Sequence, residues 1–213
     1  MKLEKIPKIV AHRLALYHRC LRNLYENGER LISSYELGKF LDLKPSQVRK
    51  DLSYFGAFGV RGKGYDVKYL LKTIESILGV SKPWRMVLIG AGNLGRAILN
   101  YEELRKCGFE IIGVFDNDPK KIGEQFAGHV IRSVEELEDF VKKSGVNIGV
   151  IAVPPKSAQK VADLLVSCGV RYLINFSPIK LKLPPGVLVE DVDISIPFKV
   201  LTFKILESEE MRI

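Results

Sequence analysis

Between Val87 and Gly95 the chain reads VLIGAGNLG, an apolar run that meets a turn of Gly90, Ala91, Gly92, Asn93, Leu94 and Gly95. Each glycine of this turn has a separate job. Gly90 permits the tight bend, Gly92 lets the backbone come close to a pyrophosphate, and Gly95 lets the following helix pack closely on the strand. Asp116 lies 21 residues beyond Gly95, at the end of a second apolar run, FEIIGVFD. An adenosine ribose would arrive at that strand tip, where a carboxylate can accept hydrogen bonds from both ribose hydroxyls and repel a 2′-phosphate. The spacing therefore favours NAD(H), while Lys120 and Lys121 nearby leave NADP(H) open. Val153 and Pro154, followed by Pro155, close a third apolar run, VNIGVIAVP. That position past a strand's C-terminal end is where the nicotinamide end of the cofactor is expected.

A second constellation precedes the first and suits different chemistry. In KPSQVRKDLSYFG, Val48, Leu52 and Phe55 fall on one helical face, leaving Ser46, Gln47, Arg49, Lys50 and Ser53 outward, with Tyr54 beside them. Side chains of these types reach guanine and adenine edges or phosphates. The following GVRGKGYDV reads as a hairpin between glycine-rich bends, with Arg61 and Lys63 at its tip, as a wing entering the minor groove requires.

The elements that must position these residues follow from periodicity and caps. Apolar residues from Ile9 to Tyr25 keep helical spacing up to Gly28, and RLIS is a short strand. Ser33 or Ser34 caps a second helix, with Glu36 placed for a capping box; Pro45 opens the third. Together with the hairpin and a closing helix, VKYLLKTIESILG, this is a winged helix-turn-helix over residues 1–83. Residues 84–193 alternate as a doubly wound Rossmann domain does: strand, glycine turn, one helix through RAILNYEELRKCG, strand, and later strand, helix and strand. Residues 194–213 remain as a C-terminal segment whose Ile196, Phe198, Val200, Leu201, Phe203, Ile205 and Leu206 are too apolar to stand in water. Ser195 and Pro197 suit a helix there, the β-branched residues leave a strand open, and packing against a second subunit is the economical answer. The fold class is therefore α/β, a winged helix followed by a Rossmann unit.

Composition separates the two parts further. Residues 1–83 carry 16 Lys and Arg against 8 Asp and Glu, whereas residues 84–213 carry 17 of each, so the whole net charge of +8 sits in front. A basic small domain points to a polyanion, and nucleic acid comes before a membrane surface because no basic amphipathic helix with a large apolar face is present. No run reaches the ~18 apolar residues of a membrane span, and MKLEKIPKIVAHRL is too broken by charge for a signal peptide, so a cytoplasmic location is expected. Cys20, Cys107 and Cys168 are odd in number and lack a CxxC pair, which argues against a disulfide framework or a metal site. The neutral part offers little catalytic equipment. Its one histidine, His129, is expected on the surface, the Tyr35–Lys39 spacing falls in the helix-turn-helix, and SIPFKVLTFKILESEEMRI is short for a substrate domain. The composition thus favours a regulator with no catalytic residues over an oxidoreductase carrying a nucleic-acid-targeting domain. A binding module with an empty Rossmann unit is the third reading.

PSQVRKDLSYFGAFGVRGKGYDV and GAGNLG, with AVPP and INFSP behind them, stand at the separations that make this sequence resemble the Rex family of redox-sensing transcriptional repressors. The resemblance runs nearly the whole chain. It implies a homodimer with winged-helix N-domains bound to palindromic operator DNA, NAD(H) in the Rossmann domains, release by NADH, and a C-terminal helix swapped into the partner. It also implies Arg13, Tyr101 and Asp193 as switch residues coupling nicotinamide state to domain orientation. After Asp193, SIPFKVLTFKIL replaces the family's more usual pattern.

Overall fold

The computed structural model describes residues 6–56, 58–60 and 64–210. The chain divides into two units, Met1–Lys82 and Pro83–Ile213.

In the first unit α1 (Lys8–Glu26) buries Val10, Leu14, Tyr17, His18 and Leu21, one stripe at helical spacing, and stops where Gly28 takes a φ of +81°. After β1 (Leu31–Ile32), α2 (Ser34–Leu41) begins with the expected capping box. The Ser33 hydroxyl accepts from the Glu36 N–H, and the Glu36 carboxylate accepts from the Ser33 N–H. Asp42 ends α2 in the left-handed region, and α3 (Pro45–Ser53) starts three residues later with Pro45 in its first turn. A Cβ on Gly38 would lie 2.4 Å from the Leu43 carbonyl oxygen, so the tight turn between α2 and α3 depends on that glycine. β2 (Gly59–Val60) and β3 (Gly64–Asp66) pair antiparallel, and β1 joins the other edge of β3, giving the sheet order β1-β3-β2. α4 (Val67–Leu78), capped by the Asp66 carboxylate on the Tyr69 N–H, packs on α1 around a shared apolar core. A winged helix results.

The second unit is a seven-stranded sheet built from β4 (Trp84–Ile89), β5 (Phe109–Asp116), β6 (Gln125–Phe126), β7 (His129–Ser133), β8 (Ile148–Ile151), β9 (Tyr172–Asn175) and β10 (Leu188–Asp191). Their order is β10-β9-β8-β4-β5-β7-β6, with all neighbours parallel except β6 against β7. The chain builds outward from β4 through β5 to β7, then returns to lay β8 on the other side of β4. The reversal creates a crevice beyond the carboxyl ends of β4 and β8, where open α/β sheets bind ligands. Alternate residues of the central strands feed two cores. Val87, Ile89 and Ile151 join one, while Met86, Leu88 and Val150 join the other.

Several expectations are corrected here. The single helix expected after the glycine turn is two, α5 (Asn93–Leu99) and α6 (Glu102–Lys106). Tyr101 is extended between them (φ −79°, ψ 91°) and α6 restarts with Glu102 and Glu103 in its first turn, where acids favour a new N-terminus. His129 does not lie between elements; it opens β7 and is half-buried, and burial, with Arg105 nearby, holds its pKa below the ordinary histidine value. After a short 3-10 turn (Val134–Glu136) and α7 (Leu137–Ser144), α8 (Pro155–Ser167) covers the sheet. The C-terminal segment is helical, α9 (Ser195–Glu210), with every large apolar side chain from Ile196 to Leu206 about half exposed or more.

Candidate dinucleotide site and nucleic-acid reader

β4 delivers the glycine turn to the crevice. Gly90 has φ +106°, and a Cβ there would sit 2.4 Å from the Ala152 carbonyl oxygen at the end of β8. A Cβ on Gly95 would come within 1.9 Å of the Gly90 carbonyl oxygen, so α5 can lie this close to the turn only without a side chain. Gly92 differs, because a Cβ there meets nothing within 4 Å. The protein does not need that glycine for its own packing; the space beside it is open to a ligand. Ala91 is buried, Leu94 half-buried and Asn93 exposed at the first turn of α5.

Asp116 ends β5 next to this turn and is almost fully buried. Its Oδ2 accepts from the Ala91 N–H (2.8 Å) and from Lys121 Nζ (3.0 Å), and its Oδ1 from the Asp118 N–H (2.9 Å). Burial opposes ionisation, but the two backbone N–H groups and the Lys121 ammonium outweigh it and hold the carboxyl below its usual range. A cavity of about 580 Å³ opens over these atoms, lined by Gly90, Gly92 and Asp116, by Val153 and Pro154 past β8, and by Asn117, Asp118 and Lys121 past β5. Ser157, Lys160, Val161 and Leu164 of α8 supply another wall. The volume and the mix of apolar wall with a few polar groups suit a nucleotide. Sequence spacing therefore brought Gly90, Gly92, Asp116, Val153 and Pro154 to one cavity, with Ala91, Asn93, Leu94 and Gly95 forming its turn. The wall from α8 was missed, although Val161 and Leu164 stand at the i, i+3 spacing of one helix face.

In the first unit α3 buries Val48 and Leu52, and Phe55 packs partly on the same core. It also buries Asp51 completely, a residue the sequence reading passed over even though it stands in the apolar stripe of 48, 51, 52 and 55. The Asp51 carboxylate accepts from Arg13 Nε (2.5 Å) and Nη2 (2.8 Å), from the Tyr17 hydroxyl (2.7 Å) and from Gln47 Nε2 (2.7 Å). Burial alone would raise its pKa; the donors from Arg13, Tyr17 and Gln47 lower it instead, and the same pair raises that of Arg13. Burial and the Asp51 carboxylate likewise push the Tyr17 hydroxyl up.

This cluster corrects one expectation, for Gln47, and gives Arg13 a partner. Gln47, expected outward, is half-buried with one of its two amide N–H groups donated to Asp51, which leaves the other N–H and the carbonyl oxygen to offer a partner. Arg13, implied as a switch residue, is held by a buried carboxylate in its own unit, where it ties α1 to α3. The remaining reader residues sit as expected on the surface: Ser46 and Lys50 are exposed, the Ser53 hydroxyl donates to the Lys50 carbonyl, and Tyr54 is exposed at the end of α3. Arg49 is exposed with Nη1 2.8 Å from the Ser34 hydroxyl at the start of α2. Arg61 and Lys63 lie outside the described residues. Tyr101 is exposed before α6, and Asp193 accepts from the Ser195 N–H (2.8 Å) and hydroxyl (2.6 Å) at the start of α9, bonds that lower its pKa. Among the described residues no cluster of His, Cys, Asp and Glu could hold a metal ion, and no helix is long and apolar enough to cross a membrane.

Comparison with known proteins agrees with the fold. The family model described as "CoA binding domain" matches residues 81–179, and that described as "Putative DNA-binding protein N-terminus" matches residues 5–53. The redox-sensing transcriptional repressor Rex 1 of Thermotoga maritima is 52% identical over 204 residues, covering 95% of this chain and 97% of its own. The Rex repressor of Desulforamulus reducens is 47% identical over 210 residues, covering 99% of this chain and 100% of its own. Among solved structures, RSP in complex with beta-NADH matches with a TM-score of 0.90 at 36% identity, covering 98% of each chain. RSP in complex with beta-NAD+ and operator DNA matches with a TM-score of 0.89 at 38% identity, covering 97% of this chain and 95% of that one. With full-length relatives at this identity, and with a winged helix and a dinucleotide cradle in one chain, the protein belongs to the Rex family of redox-sensing transcriptional repressors.

Proposed function

We propose that this protein represses transcription by binding operator DNA through its winged helix and releases the DNA when NADH occupies the Rossmann unit. One observation carries this reading: the open space at Gly92, beside a turn whose other two glycines are forced by packing, together with the ionised Asp116 at its rim. A group with a pyrophosphate and an unphosphorylated ribose fits these residues. RSP, a structural relative with both domains, has been solved with beta-NADH and with beta-NAD+ and operator DNA.

The cofactor supplies one variable, a nicotinamide ring that is neutral when reduced and positively charged when oxidised. Gly90 to Gly95 and Asp116 would hold the parts common to both forms, so they supply affinity and no discrimination. Discrimination falls to the residues at the other end of the crevice, of which Val153 and Pro154 are the candidates. Moving the repressor from 99:1 in favour of one state to 1:99 takes about 5.5 kcal/mol of differential affinity. By reciprocity, operator DNA must weaken NADH binding by the factor by which NADH weakens operator binding.

Ser46, Gln47, Arg49 and Lys50 would meet the major groove, Gln47 through its carbonyl oxygen and remaining N–H, with Ser53 and Tyr54 flanking, and Arg61 and Lys63 reaching the minor groove. Arg13, Tyr101 and Asp193 remain the switch candidates, with Arg13 also tying the reader helix to α1. α9 carries apolar residues on all sides, as a helix covered by other protein does, and a second copy of this chain is the natural cover. A symmetric pair of readers would then address a palindromic site. We take the protein to be a cytoplasmic regulator rather than an oxidoreductase. Titrating NADH into the protein–operator complex tests the reading. Dissociation is expected, with NAD+ ineffective or competing; an operator complex that persists at saturating NADH overturns it.

A further inference from the structure

We propose that Lys121 makes the ribose end of the dinucleotide site a subsite for a 2′-phosphate that Asp116 keeps closed, so that the Asp116–Lys121 pair, and not Asp116 alone, sets the choice between NADH and NADPH. The proposal rests on the NAD(H) reading above. A carboxylate offers about four acceptor positions. Asp116 has three filled, by the N–H groups of Ala91 and Asp118 and by Lys121 Nζ, so it has one left for a ribose hydroxyl rather than the two that the sequence alone suggested.

The Lys121 ammonium, 3.0 Å from that carboxylate, stands within reach of whatever the carboxylate binds. Asp118 lines the same cavity from the loop after β5. Two acids and one lysine thus stand at the ribose end, a net negative charge. An incoming 2′-phosphate, close to a dianion at neutral pH, is refused because Asp116 is both charged and already bonded to the cation that would receive it. Removing that carboxylate releases the Lys121 ammonium to receive a phosphate.

The test is binding of NADH and NADPH to the full-length protein, followed by nicotinamide fluorescence, in four forms. Wild type is expected to prefer NADH. Asp116→Ser is expected to weaken NADH and tighten NADPH, each about ten-fold or more, the size of one charge-assisted hydrogen bond gained or lost. Adding Lys121→Ala to Asp116→Ser should remove most of the gain for NADPH. Lys121→Ala alone should widen the wild-type preference for NADH, because it removes the cation and leaves the repelling carboxylate. This last variant alters a side chain that is 32% exposed, so folding is not at stake if the buried Asp116 tolerates no change. An NADPH affinity that Asp116→Ser leaves unchanged, or a preference that Lys121→Ala leaves unchanged, overturns the proposal. Failure of the wild type to bind NADH would instead overturn the dinucleotide reading beneath it, and the proposal with it.

Discussion

Replacing Arg13 with alanine separates an anchoring role from a switching one. In the folded protein the Asp51 carboxylate has no solvent contact, and the Arg13 side chain is 16% exposed. Removing the guanidinium leaves a buried carboxylate with two donors, Tyr17 and Gln47, and no cation. Breaking a buried pair from one side costs about 3–5 kcal/mol, and the surviving hydrogen bonds place this case near 3. In urea unfolding with a slope of about 2 kcal/mol per molar, that loss moves the first unit's midpoint down by about 1.5 M. The double replacement Arg13→Met with Asp51→Leu should cost less than Arg13→Ala alone, because no charge is then stranded. Operator affinity should fall with Arg13→Ala, since α3 loses its tie to α1, while NADH affinity in the second unit stays as it was. The reasoning fails if Arg13→Ala costs under 1 kcal/mol and leaves operator binding intact. If it abolishes NADH release alone, Arg13 is the switch that the family resemblance implied.

Three further outcomes follow from the same geometry. Gly92→Ala should leave the unfolding midpoint of the second unit unchanged yet abolish NADH binding, whereas Gly95→Ala, whose methyl would fall 1.9 Å from the Gly90 carbonyl oxygen, should lower both; thermal unfolding with and without NADH distinguishes them. Arg49→Ala should weaken binding to a specific operator far more than to random DNA, and leave NADH affinity alone; equal losses on both DNAs would make Arg49 a phosphate contact only. Because its donors hold Asp51 below its ordinary pKa, the folded protein binds fewer protons there than the unfolded chain does. The stabilisation is complete above about pH 4 and is lost as pH falls through the lowered value, so Asp51→Asn should flatten the acid limb of the stability curve.

The parts of this fold legible in the sequence are those with local causes. The capping box at Ser33 and Glu36, Pro45 at the head of α3, and the glycines that end α1 and α4 act within one turn of the residues that encode them. The turn at Gly90 to Gly95 and its acid at Asp116 are legible for a related reason: a pyrophosphate and a ribose stand at fixed separation, and the strands between them have standard rise. The division of charge between the front and back of the chain is additive over residues and needs no fold at all.

Only the tertiary structure decided which polar groups meet. Asp51 takes its donors from residues 38 and 34 positions away, and periodicity records that a position is on the core face without recording who waits there. The same packing committed one of the two Gln47 amide N–H groups to Asp51 and drew Lys121 onto Asp116, reducing the carboxylate to one remaining bond. Burying a charge is costly unless it is paired, so these partners are set by where the backbone places them once the core has closed. The amino-acid sequence determined that a nucleic-acid reader and a dinucleotide cradle share one chain. The folded structure decided which of their charges are available to a ligand and which are already committed to the protein.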